Sequence, residues 1–174
     1  MPPDASATIA GDRFDALSER AHAAAAQGES APGPGAAPWV LAGLKNQEIV
    51  LQQAVTALRS GGQEALSHAA EWLLDNFFLA QESLRQTRED MPRGFYRQLP
   101  KLVAGPFRGY PRVYALAQHF VASSDVRLNL EQVQRFIEYY QDVQPLTTGE
   151  LWAIPVMLRI SVLTVLTQAA SQFT

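Results

Sequence analysis

Apolar residues recurring every three or four positions, broken at intervals by proline and glycine, restrict this chain to packed helices. From Gln63 to about Glu89, Leu66, Ala70, Leu73, Leu74, Phe77, Phe78, Gln81 and Leu84 form one such stripe, with Glu71, Asp75, Glu82 and Arg85 elsewhere. Pro92 and Gly94 stop it. Upstream, Leu41, Leu44, Ile49, Leu51, Val55 and Leu58 predict a helix ended by Ser60-Gly-Gly62. Downstream, Pro111 suits a first helical turn and leads into Val113, Leu116, Ala117 and Phe120, fraying at Ser123-Ser-Asp125. Asn129, with Gln132 three residues on, caps a helix through Val133, Phe136, Ile137 and Tyr140. Thr147-Thr-Gly-Glu150 has capping-box spacing and opens a last helix to about Gln172. Between these, Pro92, Pro100, Pro106 and Pro111 keep residues 91–112 irregular or short-helical. No segment alternates like a strand. The expected fold class is all-α, a bundle of about five helices with a disordered N-terminal tail.

The chain has 174 residues, enough for one domain with a core and too few for two. Residues 1–38 are expected to be a flexible Ala/Pro/Gly-rich tail, and 39–174 a single α-helical domain. In the tail, Ser30-Ala-Pro-Gly-Pro-Gly-Ala-Ala-Pro38 alternates Pro and Gly, which opposes regular structure. A short helix over Asp12–Gln27 places Phe14, Leu17 and Ala21 on one face, with too little apolar area to fold unaided. Residues 1–12 lack a basic leader and an apolar run, so no signal peptide is expected. Leu151–Leu166 is the strongest membrane candidate. Pro155 and Arg159 interrupt it, and it falls short of the ~20 apolar residues of a spanning helix. A core helix and a soluble isolated chain are expected.

The net charge of −3 opposes a nucleic-acid partner held by a global basic field, and the lack of cysteine removes thiolate chemistry. His22, His68 and His119 have no second His or Cys at ligand spacing, so no metal and no cofactor are expected. Gly105-Pro-Phe-Arg-Gly109 resembles a phosphate loop only in its glycines. Pro106 removes a donor, and a turn is the better reading. Glu89 with Asp90 and Glu71 with Asp75 are neighbours on polar faces, not two carboxyls sharing a pocket. There is no D-x-D arrangement of a metal-dependent sugar transferase.

One charge pattern stands out. Between Asp90 and Asp125 there is no acidic residue, while Arg93, Arg97, Lys101, Arg108 and Arg112 alternate with Phe95, Tyr96, Phe107, Tyr110 and Tyr114. One reading is a docking surface for an acidic partner, anionic lipid or phosphorylated ligand. The other has these cations capping helix ends and pairing with Glu82, Glu89 or Glu138 across the bundle. Likewise Trp72, Trp152, Phe77, Phe78, Phe136, Tyr139 and Tyr140 form either core or an aromatic platform for sugar. The platform would use Trp72, Tyr96, Tyr110 and Trp152.

Four blocks carry a further signal: Trp72-Leu-Leu-Asp-Asn-Phe-Phe78, Asp90-Met-Pro-Arg-Gly-Phe-Tyr-Arg-Gln-Leu-Pro-Lys101, Pro111-Arg-Val-Tyr-Ala-Leu-Ala117 and Gln144-Pro-Leu-Thr-Thr-Gly-Glu-Leu-Trp-Ala-Ile-Pro-Val-Met-Leu-Arg159. In this order they resemble the N-terminal region of bacterial cyclic β-1,2-glucan synthases, from about Glu71 to the last helix; residues 1–60 carry little of it. The resemblance implies a helical module on the cytoplasmic side of the bacterial inner membrane, within a very large polytopic enzyme. In that enzyme a membrane-embedded glycosyltransferase uses UDP-glucose, and a phosphorylase-like domain trims the chains. The implied partners are the glycosyltransferase domain of the same polypeptide and inner-membrane anionic lipid. Neither the transferase aspartates nor the phosphorylase acid has a counterpart here, so no catalytic residue carries over. The leading expectation is a non-catalytic scaffolding or docking domain, and the alternative is a carbohydrate-binding or substrate-handling module. An independent enzyme acting on UDP-glucose lacks every part it would need.

Overall fold

The computed structural model describes residues 5–26, 30–31, 39–60, 67–123 and 129–174, with the side chains of the first helix from Asp15 onward. Among these residues the chain is all-α with seven helices. The five predicted long segments appear as α2 (Leu44–Ser60), α3 (His68–Asp90), α5 (Arg112–Ser123), α6 (Leu130–Val143) and α7 (Thr148–Ala170). The other two are α1 (Ala5–Ala26) and the short α4 (Arg93–Gln98), which lies within the proline-rich stretch. Leu66, Gly61 and Gly62, and the Ser124–Asp125 end of the predicted fraying, lie outside the described residues.

Side-chain caps start three of the helices, at the predicted Asn129 and Thr147 and at Ser67, where the helix expected from about Gln63 begins later. Ser67 accepts from the Ala70 N–H (3.3 Å) at α3, and Asn129 from the Glu131 N–H (2.8 Å) at α6. At α7 both arms of the box form: Glu150 N–H donates to Thr147 Oγ1 (3.2 Å), and Thr147 N–H to Glu150 Oε2 (2.9 Å).

Helix α7 is the centre of the bundle. It packs against α5 on one side and α2 and α3 on the other. Its buried residues Ala153, Ile154, Val156, Met157, Ile160, Ser161 and Leu163 span a wide arc, as expected of a helix apolar nearly all round. Together with the 3-10 turn that follows, Thr148–Phe173 is long and apolar enough to cross a membrane by length and composition. In this fold it is a core helix, and Arg159 on it bonds Asp90 at the end of α3 (2.8 Å).

Helices α2 and α3 form an antiparallel pair, in which Glu48 near the start of α2 meets Arg88 near the end of α3 (2.7 Å). Gln47 Nε2 ties α2 to Thr164 of α7 (3.0 Å). The predicted α3 stripe needs one correction. Ala70, Leu73 and Leu84 are buried, but so are Ala80 and Thr87, whereas Phe78 and Gln81 face out. At about 100° per residue, Phe78 is rotated a quarter turn away from Phe77, too far to share its face.

Helix α1 lies along α6 and touches α5. The helix expected over Asp12–Gln27 is thus part of a longer one, and it does not stand unaided. Leu17 packs on the core, Ala21 and Ala25 are fully buried, and Arg20 donates to the Ser123 carbonyl (2.8 Å). Small residues at Ala21 and Ala25 let the two backbones approach closely, which compensates for a weak apolar stripe. Within the stretch expected to oppose regular structure, Ser30–Ala31 (β1) pairs antiparallel with Lys101–Leu102 (β2). Two residues suffice for that ladder, and they precede the Pro-Gly alternation; residues 32–38 lie outside the described set.

Candidate functional site

Four elements converge at one end of the bundle: α4, the 99–111 connection, and the first turns of α5 and α7. A methyl added at Gly149 of α7 would sit 3.7 Å from the Phe95 ring of α4. The Arg112 N–H donates to the Pro100 carbonyl (2.9 Å), and the Leu102 N–H to that of Tyr110 (3.0 Å). Gly105 and Gly109 have φ of 79° and 85°, the left-handed region that glycine adopts without strain. With the Gly109 N–H bonded to the Leu102 carbonyl (2.8 Å), the Gly105–Gly109 run is a turn, as its proline predicted.

The five cations of this segment separate into two groups. Lys101 and Arg112 are buried. Lys101 Nζ donates to the carbonyls of Arg97 (2.8 Å) and Leu99 (2.9 Å), and stands 5.9 Å over the Tyr96 ring. It closes the C-terminus of α4, where the last carbonyls lack helical partners, and burial lowers its pKa. Arg112 grips Glu150 through two bonds, Nε to Oε1 (2.8 Å) and Nη2 to Oε2 (2.6 Å). It also donates to Pro145 O and Gln144 Oε1 (3.1 Å each). Burial disfavours the Arg112 charge, but the bonds and field of Glu150 outweigh it and raise its pKa.

Arg93, Arg97 and Arg108 are exposed. Arg93 lies over the Trp39 ring at 5.4 Å. None of the three has a carboxylate within ion-pair distance among the described residues. Of the three carboxylates expected as their partners, Glu82 and Glu89 both bond Arg85 on α3, and Glu138 on α6 is exposed without pairing any of these arginines. The docking set expected from sequence therefore reduces to Arg93, Arg97 and Arg108. Leu151 and Trp152 in the first turn of α7 and Val103 in the connection are exposed apolar residues on these same elements.

The residues of the sugar platform do not come together. Tyr96 is buried, edge-on to Trp39 at 4.8 Å, and burial raises its pKa. Tyr110 is half-buried against Tyr114. Trp72 and Trp152 are both exposed, but at opposite ends. Asp90 meets Arg159, and α3 runs antiparallel to α7, so Trp72 is about 27 Å of helix from that point, on the side away from Trp152. Of the other aromatics, Phe136 and Tyr140 are core, Phe77 and Tyr139 are half-buried, and Phe78 is exposed.

Beneath the connection lies a cavity of ≈ 180 Å³ lined by Leu102, Phe107, Arg112, Leu116, His119 and Tyr140, among others. Within it, burial pushes the Tyr140 hydroxyl up to about 12, and Arg112 is bonded to Glu150. Among the described residues no group of His, Asp or Glu is arranged to hold a metal ion.

Glu150 is the residue that sequence reasoning used only in part. Its capping role was legible at three residues from Thr147. Its partner Arg112, 38 positions away, carried no local signal.

A helical module with exposed arginines at one end is consistent with the cyclic glucan synthase resemblance. No family model matches the chain. Over 114 residues, 65% of its length, the chain is 40% identical to the cyclic beta-(1,2)-glucan synthase NdvB of Rhizobium meliloti (strain 1021). The similarity to a synthase of that class is thereby shown, and the chain spans 4% of that protein's length.

Proposed function

We propose that this chain is a non-catalytic helical module of a membrane-bound cyclic β-1,2-glucan synthase, docking through its basic end on the cytoplasmic side of the bacterial inner membrane. The observation that carries this is the division of the five cations. Lys101 and Arg112 are taken up by the fold, whereas Arg93, Arg97 and Arg108 stay exposed without carboxylate partners among the described residues. Uncompensated cations gathered at one end attract an anionic surface at a distance, and orient the approach. The whole polypeptide would polymerise glucose from UDP-glucose; this module would hold the glycosyltransferase domain in place against the membrane.

Binding of the purified chain to inner-membrane vesicles that carry the synthase lacking this stretch tests the reading. Saturable binding is expected, weakened at least about 10-fold in the Arg93→Glu/Arg97→Glu/Arg108→Glu variant and by raised salt. Equal binding of variant and parent would overturn it.

A further inference from the structure

We propose that the basic end of the bundle is a membrane-contacting face that takes an anionic phospholipid surface, with Arg93, Arg97 and Arg108 on the headgroups and Trp152 and Leu151 at the boundary beneath them. This rests on the docking reading above and names its partner.

Charge complementarity selects an anionic partner. From Met91 to Ser124 the sequence has no Asp or Glu. On the elements that meet at this end, Asp90 is paired with Arg159, and Glu150 is buried with Arg112. Asp142 and Glu138, in the last turns of α6, remain exposed, and Glu89 beside Asp90 is held by Arg85.

The apolar residues select lipid over an acidic protein. Trp152 is 76% exposed one turn after Gly149, whose neighbour is Phe95 of the arginine-bearing helix α4. Leu151 beside it and Val103 in the connection are exposed as well. A protein partner would be recognised by paired donors and acceptors around a desolvated patch. Here single apolar side chains are exposed on the elements that meet the arginine-bearing segment, whose cations have long flexible stems. Indole favours the headgroup level of a bilayer, and arginine stems lie along apolar surface with the charge in the polar layer. The two kinds of side chain then reach adjacent depths of one interface.

The test uses the full 174-residue chain and synthetic vesicles, with phosphatidylcholine alone or with about one-third phosphatidylglycerol. Co-sedimentation is expected with the anionic vesicles and not with phosphatidylcholine. The triple Arg→Glu variant should bind on the order of 100-fold more weakly, and Trp152→Ala roughly 10-fold more weakly with an unchanged salt dependence. Acyl-chain-labelled quencher lipids should quench part of the tryptophan fluorescence, and Trp152→Phe should remove most of that quenching, leaving at most the part from half-buried Trp39 under Arg93. Indifference to phosphatidylglycerol, or full binding by the triple variant, would overturn the proposal. If the chain binds synthase-bearing membranes but no lipid vesicle, the lipid partner is wrong and the docking reading stands. If it binds neither, both fall.

Discussion

Arg112→Ala is expected to destabilise the fold by about 3–5 kcal/mol, a fall in Tm on the order of 10 °C for a chain of this size. The loss is large because of what the arginine leaves behind. Glu150 is fully buried, and Arg112 supplies two of its bonds. Without that partner a carboxylate stays enclosed with only the Thr147 N–H and hydroxyl to serve it. The Pro145 and Gln144 oxygens lose a donor too. The α5–α7 contact at this end should loosen first. Pairing Arg112→Met with Glu150→Gln should recover most of the loss, since Gln keeps the capping geometry and carries no charge. Urea unfolding of the two single variants and the double variant checks this. Additive losses would contradict a coupled pair.

Phe136→Ala is expected to cost about 3–5 kcal/mol as well, by a different route. Phe136 is buried on α6 and meets Phe120 of α5 with ring centroids 5.2 Å apart. That aromatic pair joins the α1–α6 layer to the rest of the bundle. Truncation leaves a cavity in the seam and removes an interaction worth about 1 kcal/mol beyond its buried area. Because α1 rests mainly on α6, its amides should lose hydrogen-exchange protection along with those of α6, while α7 keeps most of its own. A loss spread evenly over all helices would mean that the two layers do not separate.

The helices were legible because their signals are local. Ser67 was hidden within a helix predicted to start earlier, but Asn129, Pro111 and Thr147-Thr-Gly-Glu150 mark boundaries that a short window reveals. The core position of α7 was readable from Leu151–Leu166, where Pro155 and Arg159 argued for a core helix, although its first turn keeps Leu151 and Trp152 exposed. What sequence could not resolve was the fate of each cation. Lys101 and Arg97 are four residues apart with similar neighbours, yet one side chain turns inward to close α4 and the other faces water. Lys101 also sits in the β1–β2 ladder, opposite Ala31 some 70 positions earlier, a pairing with no local signal. Arg112 and Glu150 are likewise matched only by the packing of α5 on α7. The packing of α1 on α6 was equally hidden, because alanines at Ala21 and Ala25 give a weak apolar signal, and their value lies in close approach.

The most direct measurement of the docking account is glucan output from UDP-glucose by the full synthase bearing Arg93→Glu, Arg97→Glu and Arg108→Glu, in its own membranes. Alongside it, the Tm of the isolated triple variant shows whether the bundle is intact. Docking through the basic end requires output to fall at least about 10-fold while the Tm stays within a few degrees. Undiminished output from a folded triple variant would contradict it.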